Sequence, residues 1–314
     1  MEEDRRLFES AFRVTRIHHG RFFDFYLPGM IRYGGKRGRY PAVSITGDRC
    51  TLRCEHCRGR LLEPMIKVTG PGELLKKAGL LLKNGIYGLL LSGGCDAKGS
   101  LPWSTYAGAI ARIHDRTPLY LSAHVGFPDP ETCLVLKDIG IQQGLIDVMG
   151  DEITASEIYH LEGLHTVIRA LEGIHESRLS LVPHIVAGLR YGKMDAEEKA
   201  LEIISRFKPA ALVIVVLTPL KGTPMSRVSP PSALQIGRLI ARARLLLPEI
   251  PISLGCERPR NREGAVMETY AVQAGATRMA VWSEEAVAEC ERLGLCPRFQ
   301  ATCCSLAFDA RYRF

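Results

Sequence analysis

The 314-residue sequence has no apolar run long enough to cross a bilayer, which excludes a helical membrane span. It has no low-complexity linker and no internal repeat, which excludes a repeat architecture. Its opening, Met1-Glu2-Glu3-Asp4, is acidic and lacks the apolar core of a secretory signal, so a cytoplasmic location is expected. Nor are its basic residues massed in one segment, so nucleic acid is not an expected partner. The formal net charge is nevertheless +7, with the densest early cluster at Lys36, Arg37 and Arg39. Such a balance fits either a mildly basic surface or a docking face for an acidic partner protein.

Cysteine, by contrast, is plentiful. Ten is a high count for a chain expected in a reducing compartment, and it favours metal or cluster ligation over disulfides. Three cysteines fall within eight residues near the front, four lie between Cys290 and Cys304, and Cys256 stands before those four.

Between them an alternation recurs: a short apolar run, a loop, then a helical pattern. The runs are 42–45, 89–91, 119–121, 145–148, 179–182, 212–217, 252–254 and 279–281, with a helix-like stretch around Leu74 to Leu82. Continuous apolar runs suit strands covered on both faces, as in parallel sheets. Eight of them alternating with helices predict a (β/α)8 TIM-type barrel. Residues 42–282 would form it. Residues 1–41 would be an N-terminal extension and residues 283–314 a cysteine-rich tail, both outside the barrel wall. Chemistry in such a barrel gathers where strands end. Those positions hold Cys50, the Gly93-Gly94-Cys95-Asp96 turn, His124, Asp151, His184, Thr223 and Cys256.

The most specific motif is Cys50-Thr51-Leu52-Arg53-Cys54-Glu55-His56-Cys57. Three thiolates on one loop can cap three irons of a [4Fe–4S] cube and leave the fourth open. The competing reading is a structural zinc site completed by a distant fourth ligand. Cys95 and Cys133 stand alone and read as packing residues. His124 and His184 fit either a cavity-facing role or hydrogen bonds within the barrel end.

This spacing, directly after an apolar strand, resembles that of radical S-adenosylmethionine (SAM) enzymes. Ser92-Gly93-Gly94-Cys95-Asp96 resembles their glycine motif, although Cys95 stands where the acidic residue is usual and Asp96 follows it. Leu220-Lys221-Gly222-Thr223-Pro224-Met225, Ile252-Ser253-Leu254-Gly255 and Ala271-Val272-Gln273-Ala274-Gly275-Ala276 are similar to segments of biotin synthase. Phe25-Tyr26-Leu27-Pro28-Gly29 and Pro41-Ala42-Val43-Ser44-Ile45-Thr46-Gly47 are similar to the archaeal-type two-component lipoyl synthase, whose subunits are both radical SAM proteins.

The resemblance implies a [4Fe–4S] cluster on Cys50, Cys54 and Cys57 with SAM on the open iron. It implies SAM contacts from Gly93, Gly94, Asp96, Asp151 and Ile185. It also implies a second, auxiliary iron–sulfur cluster, for which Cys256, Cys290, Cys296 and Cys303 are the expected ligands. Cys304 competes with Cys303, and small apolar packing is the alternative for Cys290. The implied activity is sulfur insertion into an octanoyl chain on a lipoyl carrier protein, served by ferredoxin or flavodoxin and by a second radical SAM subunit. The alternatives are another biotin-synthase-like reaction, such as rearrangement or cofactor maturation, or a non-enzymatic iron–sulfur or zinc protein.

Overall fold

A computed structural model describes residues 2–306. The chain begins with helix α1 (Glu2–His19), acidic in its first turn and basic in its last, as the helix dipole favours. Strand β1 (Phe22–Tyr26) follows, then a small antiparallel hairpin of β2 (Arg32–Tyr33) and β3 (Lys36–Arg37). Its two-residue loop is Gly34-Gly35, with φ of 53° and 76°, and glycine alone adopts such a pair freely.

The wall then alternates. It runs through β4 (Ala42–Ser44), the short β5 (Ile66–Lys67), α2 (Pro71–Lys83), β6 (Gly88–Ser92) and α3 (Trp103–Arg116). Next come β7 (Tyr120–His124), α4 (Pro130–Asp138), β8 (Gln143–Asp147) and, past a short π-helical turn, α5 (Leu164–Glu176). They are followed by β9 (Ser180–Ala187), α6 (Glu197–Ser205), β10 (Leu212–Val216) and α7 (Ala233–Leu246). The last elements are β11 (Ile252–Leu254), α8 (Arg262–Gln273), β12 (Arg278–Ala280), α9 (Glu284–Arg292) and β13 (Cys296–Gln300).

Eleven strands form one curled parallel sheet in the order β13-β1-β12-β11-β10-β9-β8-β7-β6-β4-β5. All eight strands expected from the apolar runs are present, and the sheet curls into an open TIM-type barrel with helices outside it. The order is linear, so β5 and β13 are the two ends of the sheet. Alternate residues point outward to the helices, as Leu89 and Leu91 do, or inward. The interior layer includes Tyr26, Leu145, Val182, Val213, Ala280 and Cys304. Among the described residues no helix is long and apolar enough to cross a membrane.

The expectation that both ends of the chain lie outside the wall is corrected. Strand β1 inserts between β12 and β13, in register Asp24 to Arg278 and Asp24 to Arg298. The seam is held by a largely buried ion pair: Arg298 donates to both carboxylate oxygens of Asp24 at 2.8 and 2.6 Å, and Gln300 adds a third donor at 3.2 Å. Past β13 the tail turns into the barrel. Arg278 donates to the carbonyls of Cys304 and Leu306, and the Gln143 amide donates to that of Ser305.

Breaking a buried pair strands its partner charge. Asp24→Ala should therefore lower unfolding free energy by about 3–5 kcal/mol, read by urea denaturation. A loss below about 1 kcal/mol would show that the pair does not hold the seam.

Candidate functional site

The cysteine loop leaves the end of β4 and folds back against two neighbours. The backbone N–H groups of Thr51 and Leu52 donate to the Cys95 carbonyl at 2.7 and 3.2 Å, and Glu55 N–H donates to the Ile158 carbonyl at 2.9 Å. Arg53 and Arg58 have φ near +48°, so the loop bends through left-handed backbone on both sides of Cys54 and Cys57. Gly94 makes the close approach possible. A Cβ there would collide with the Arg49 carbonyl and the backbone of Cys50, while its N–H is held by Thr46 Oγ1 at 2.7 Å. Gly94→Ala should displace Cys50 and strip most of the cluster iron from a protein whose circular dichroism is unchanged. Full iron content in that variant would contradict the packing argument.

The loop borders a cavity of about 330 Å³. Cys50, Cys54 and Cys57 line it together with Gly93, Gly94 and Cys95. Cys256, Glu257, Cys303 and Cys304 line it as well, and so do His124 at the end of β7, Asp147 at the end of β8 and His184 within β9. The structure thus brings the front thiols, the thiol after β11 and the vicinal pair of the tail to one chamber.

Electrostatics differ between the thiols. Cys57 is lowered to about 4 by its hydrogen bond with Cys54, helped by His56 beside it; Cys54 carries the opposite shift, raised far above the ordinary thiol range by that same bond and by burial. Burial works against a charged His56, but the Cys57 thiolate outweighs it and raises the ring. In the second group, Cys303 is lowered to about 6, chiefly by its hydrogen bond with Cys304 and also by the Ser305 hydroxyl, whose Oγ lies 3.1 Å from the sulfur. Burial pushes Cys256 up to about 11.

Several expected site residues stand elsewhere. Asp96 is exposed, and its Oδ1 accepts from the N–H groups of Lys98 and Ser100, both at 2.9 Å, so it closes a turn rather than facing the cavity. Asp151 accepts from Thr154 N–H at 2.6 Å and from Arg190 at 2.9 Å, beside a separate small depression outside the chamber. Ile185 faces away from the chamber, in the helix-facing core and on the wall of that same depression; its neighbours His184 and Val186 line the chamber. Cys290 is wholly buried in α9, and Cys296 opens β13 opposite Phe22, at the far end of the strands. Neither lines the chamber, whereas Cys256, Cys303 and Cys304 do. The turn at 303–306, closed by Leu306 N–H on the Cys303 carbonyl, keeps the two adjacent thiols together. His56, Asp147, Tyr159 and Glu257 were not singled out as site residues, yet all four line the chamber.

The donor set suits a cluster. Three thiolates on one loop match a cube, which takes one at each of three separate irons. The glycine backbone at Gly94 lies directly against the loop, and His56 Nδ1 is buried with no partner.

No family model matches the chain. In sequence it is similar to the biotin synthase of Thermodesulfovibrio yellowstonii, 25% identical over 235 residues and 73% of each chain. The biotin synthase of Ruthia magnifica subsp. Calyptogena magnifica is 22% identical over 153 residues, 48% of this chain and 47% of that one. In fold it is similar to HydG, a maturase of the [FeFe]-hydrogenase, with TM-score 0.68 at 14% identity, covering 95% of this chain and 69% of that one. Methylornithine synthase (PylB) has TM-score 0.65 at 14% identity, covering 94% and 89%. Similarity to biotin synthases in sequence and this shared barrel, together with three thiols on one loop at its mouth, support a biotin synthase-like radical SAM enzyme.

Proposed function

We propose that the chain is a sulfur-inserting radical SAM enzyme of the lipoyl synthase type, acting on an octanoyl chain carried on a lysine of a lipoyl carrier protein. The observation that carries this reading is the chamber with two groups of thiols on its wall, Cys50, Cys54 and Cys57 in one and Cys256, Cys303 and Cys304 in the other. The first group would hold a [4Fe–4S] cluster with SAM and the second an auxiliary iron–sulfur cluster. Bound there, they would supply a hydrogen-abstracting 5′-deoxyadenosyl radical and sulfide for the new C–S bond.

The chain's own residues do the rest. The loop and Gly94 fix the first thiols, while Arg278 and Gln143 draw the tail inward and hold Cys303 and Cys304 at the chamber floor. Leu145, Val213, Val215 and Leu217 offer an apolar trough that suits an acyl chain and keeps water from a reactive radical. Met30 lines the chamber just ahead of the β2–β3 hairpin, so the hairpin stands near its mouth. There Arg32 is paired directly with Arg37, and Arg39 follows. Like charges opposite one another destabilise a ribbon, so an acidic carrier domain is the partner such a surface suits.

Reduced, reconstituted enzyme given an octanoyl-lysine carrier domain should yield a thiolated octanoyl product together with 5′-deoxyadenosine and methionine. Carrier binding should weaken about tenfold or more between low and physiological salt; salt-independent affinity would argue against this face. A second radical SAM subunit and a ferredoxin or flavodoxin complete the proposed system. The polar wall of His124, Asp147 and His184 is the feature that favours rearrangement or cofactor maturation instead. Under that reading no octanoyl substrate would be thiolated.

A further inference from the structure

His184 is a buried side chain whose ring lines the chamber. Its Nδ1 lies 3.1 Å from the Val182 carbonyl oxygen. A carbonyl can only accept, so Nδ1 carries the proton and donates it. Burial, reinforced by His124 beside it, drives the ring's pKa down to about 3 and keeps it neutral. A neutral ring protonated on Nδ1 presents a bare lone pair at Nε2. That atom has no protein hydrogen bond among the described residues, and it is not one of the sealed, unpartnered atoms of the interior. It is therefore reachable from the chamber.

Asp147 pairs with His184 across β8 and β9 and adds a second acceptor. Its Oδ2 takes the Tyr159 hydroxyl at 2.9 Å, while Oδ1 is 3.9 Å from His124 Nε2, beyond hydrogen-bond reach. The wall thus holds two acceptors with capacity to spare, next to the apolar surface of Leu145, Val186, Val213 and Val215. An occupant that displaces water from these acceptors leaves them unmatched, at a cost, unless it brings an N–H or O–H to them. An apolar chain ending in an N–H is the chemistry that satisfies the trough and the wall together.

We propose that His184 and Asp147 grip the amide N–H that joins the acyl chain to its carrier, leaving the alkyl carbons along the trough toward Cys256 and Cys303. This rests on the acyl-substrate reading of the same chamber. His184 and Asp147 become specificity-determining residues for an amide-linked rather than an ester-linked chain.

The test uses reconstituted enzyme with SAM and two near-isosteric probes, N-butyloctanamide and butyl octanoate, which differ in the N–H. Wild type should bind the amide about tenfold to a hundredfold more tightly, the cost of leaving a buried acceptor unmatched. His184→Leu should erase that preference. His184→Gln, whose Oε1 can accept, should restore part of it. Equal binding of the two probes by wild type, or a preference that survives in His184→Leu, overturns the proposal. So does a loss of SAM affinity in His184→Leu as large as the loss for the amide, because the wall would then serve the cosubstrate. An intact amide preference in an enzyme that thiolates no octanoyl-lysine supports the grip and overturns the sulfur-insertion reading alone.

Discussion

Cys54→Ala should abolish the conversion of SAM to 5′-deoxyadenosine and methionine in anaerobically reconstituted protein. The reason lies in how the loop is built. Cys54 and Cys57 are buried at the chamber wall and share a hydrogen bond that sets one thiol far above and the other far below the ordinary range. Removing either takes away a corner ligand and leaves its neighbour without that partner, and no other cysteine of the loop can replace it. Cys95 is next to the loop but is held by burial as a protonated thiol, well above the ordinary range. Cys50→Ala and Cys57→Ala should behave alike. Undiminished cleavage by the Cys54→Ala protein would remove the loop from the chemistry.

Cys256→Ala and Cys303→Ala should separate the two halves of the reaction. Both variants retain the front loop intact, so SAM cleavage should persist while thiolated product falls below detection. Cys303 is the more informative of the pair. It sits in the turn closed by Leu306 N–H, with the Ser305 hydroxyl on its sulfur, and its thiol is lowered to about 6 by Cys304 and Ser305. It is the tail cysteine readiest to be a thiolate, the form that binds metal. Cys290→Ala, in contrast, removes a buried sulfur from α9 far from the chamber and should cost stability without changing the product. Loss of product in Cys290→Ala at unchanged stability would restore it as a ligand.

The wall of the barrel was legible because buried parallel strands need continuous apolar runs, as at Leu89–Leu91 and Leu212–Leu217. What escaped was held by contacts that have no local pattern. Strand β1 carries Asp24 in its middle, and β13 carries Pro297 and Arg298; each reads as non-strand by itself. They join because Asp24 and Arg298, 274 positions apart, neutralise each other, and because an edge strand tolerates proline. The inward turn of the tail depends likewise on Arg278 and Gln143 catching carbonyls of residues 304–306.

The cysteine loop was legible from spacing alone, whereas the contacts beyond it were not. On β9 one residue decides between chamber and core, and the interior residue is His184 rather than Ile185. Asp96 and Asp151 sit near strand ends, but nearby N–H groups and Arg190 capture their carboxylates first. Closeness in sequence also misled at the tail, where Cys290 lies in α9, Cys296 opens β13, and only the residues after β13 enter the barrel.

The proposed function needs two separate clusters on the wall of one chamber. Anaerobic iron and sulfide counting on the Cys50/Cys54/Cys57→Ala triple variant, beside wild type, tests it most directly. The variant should cleave no SAM yet keep about four irons if the second site is a cubane. An iron-free variant, prepared where wild type loads fully, would contradict the second site and with it sulfur insertion by this chain alone.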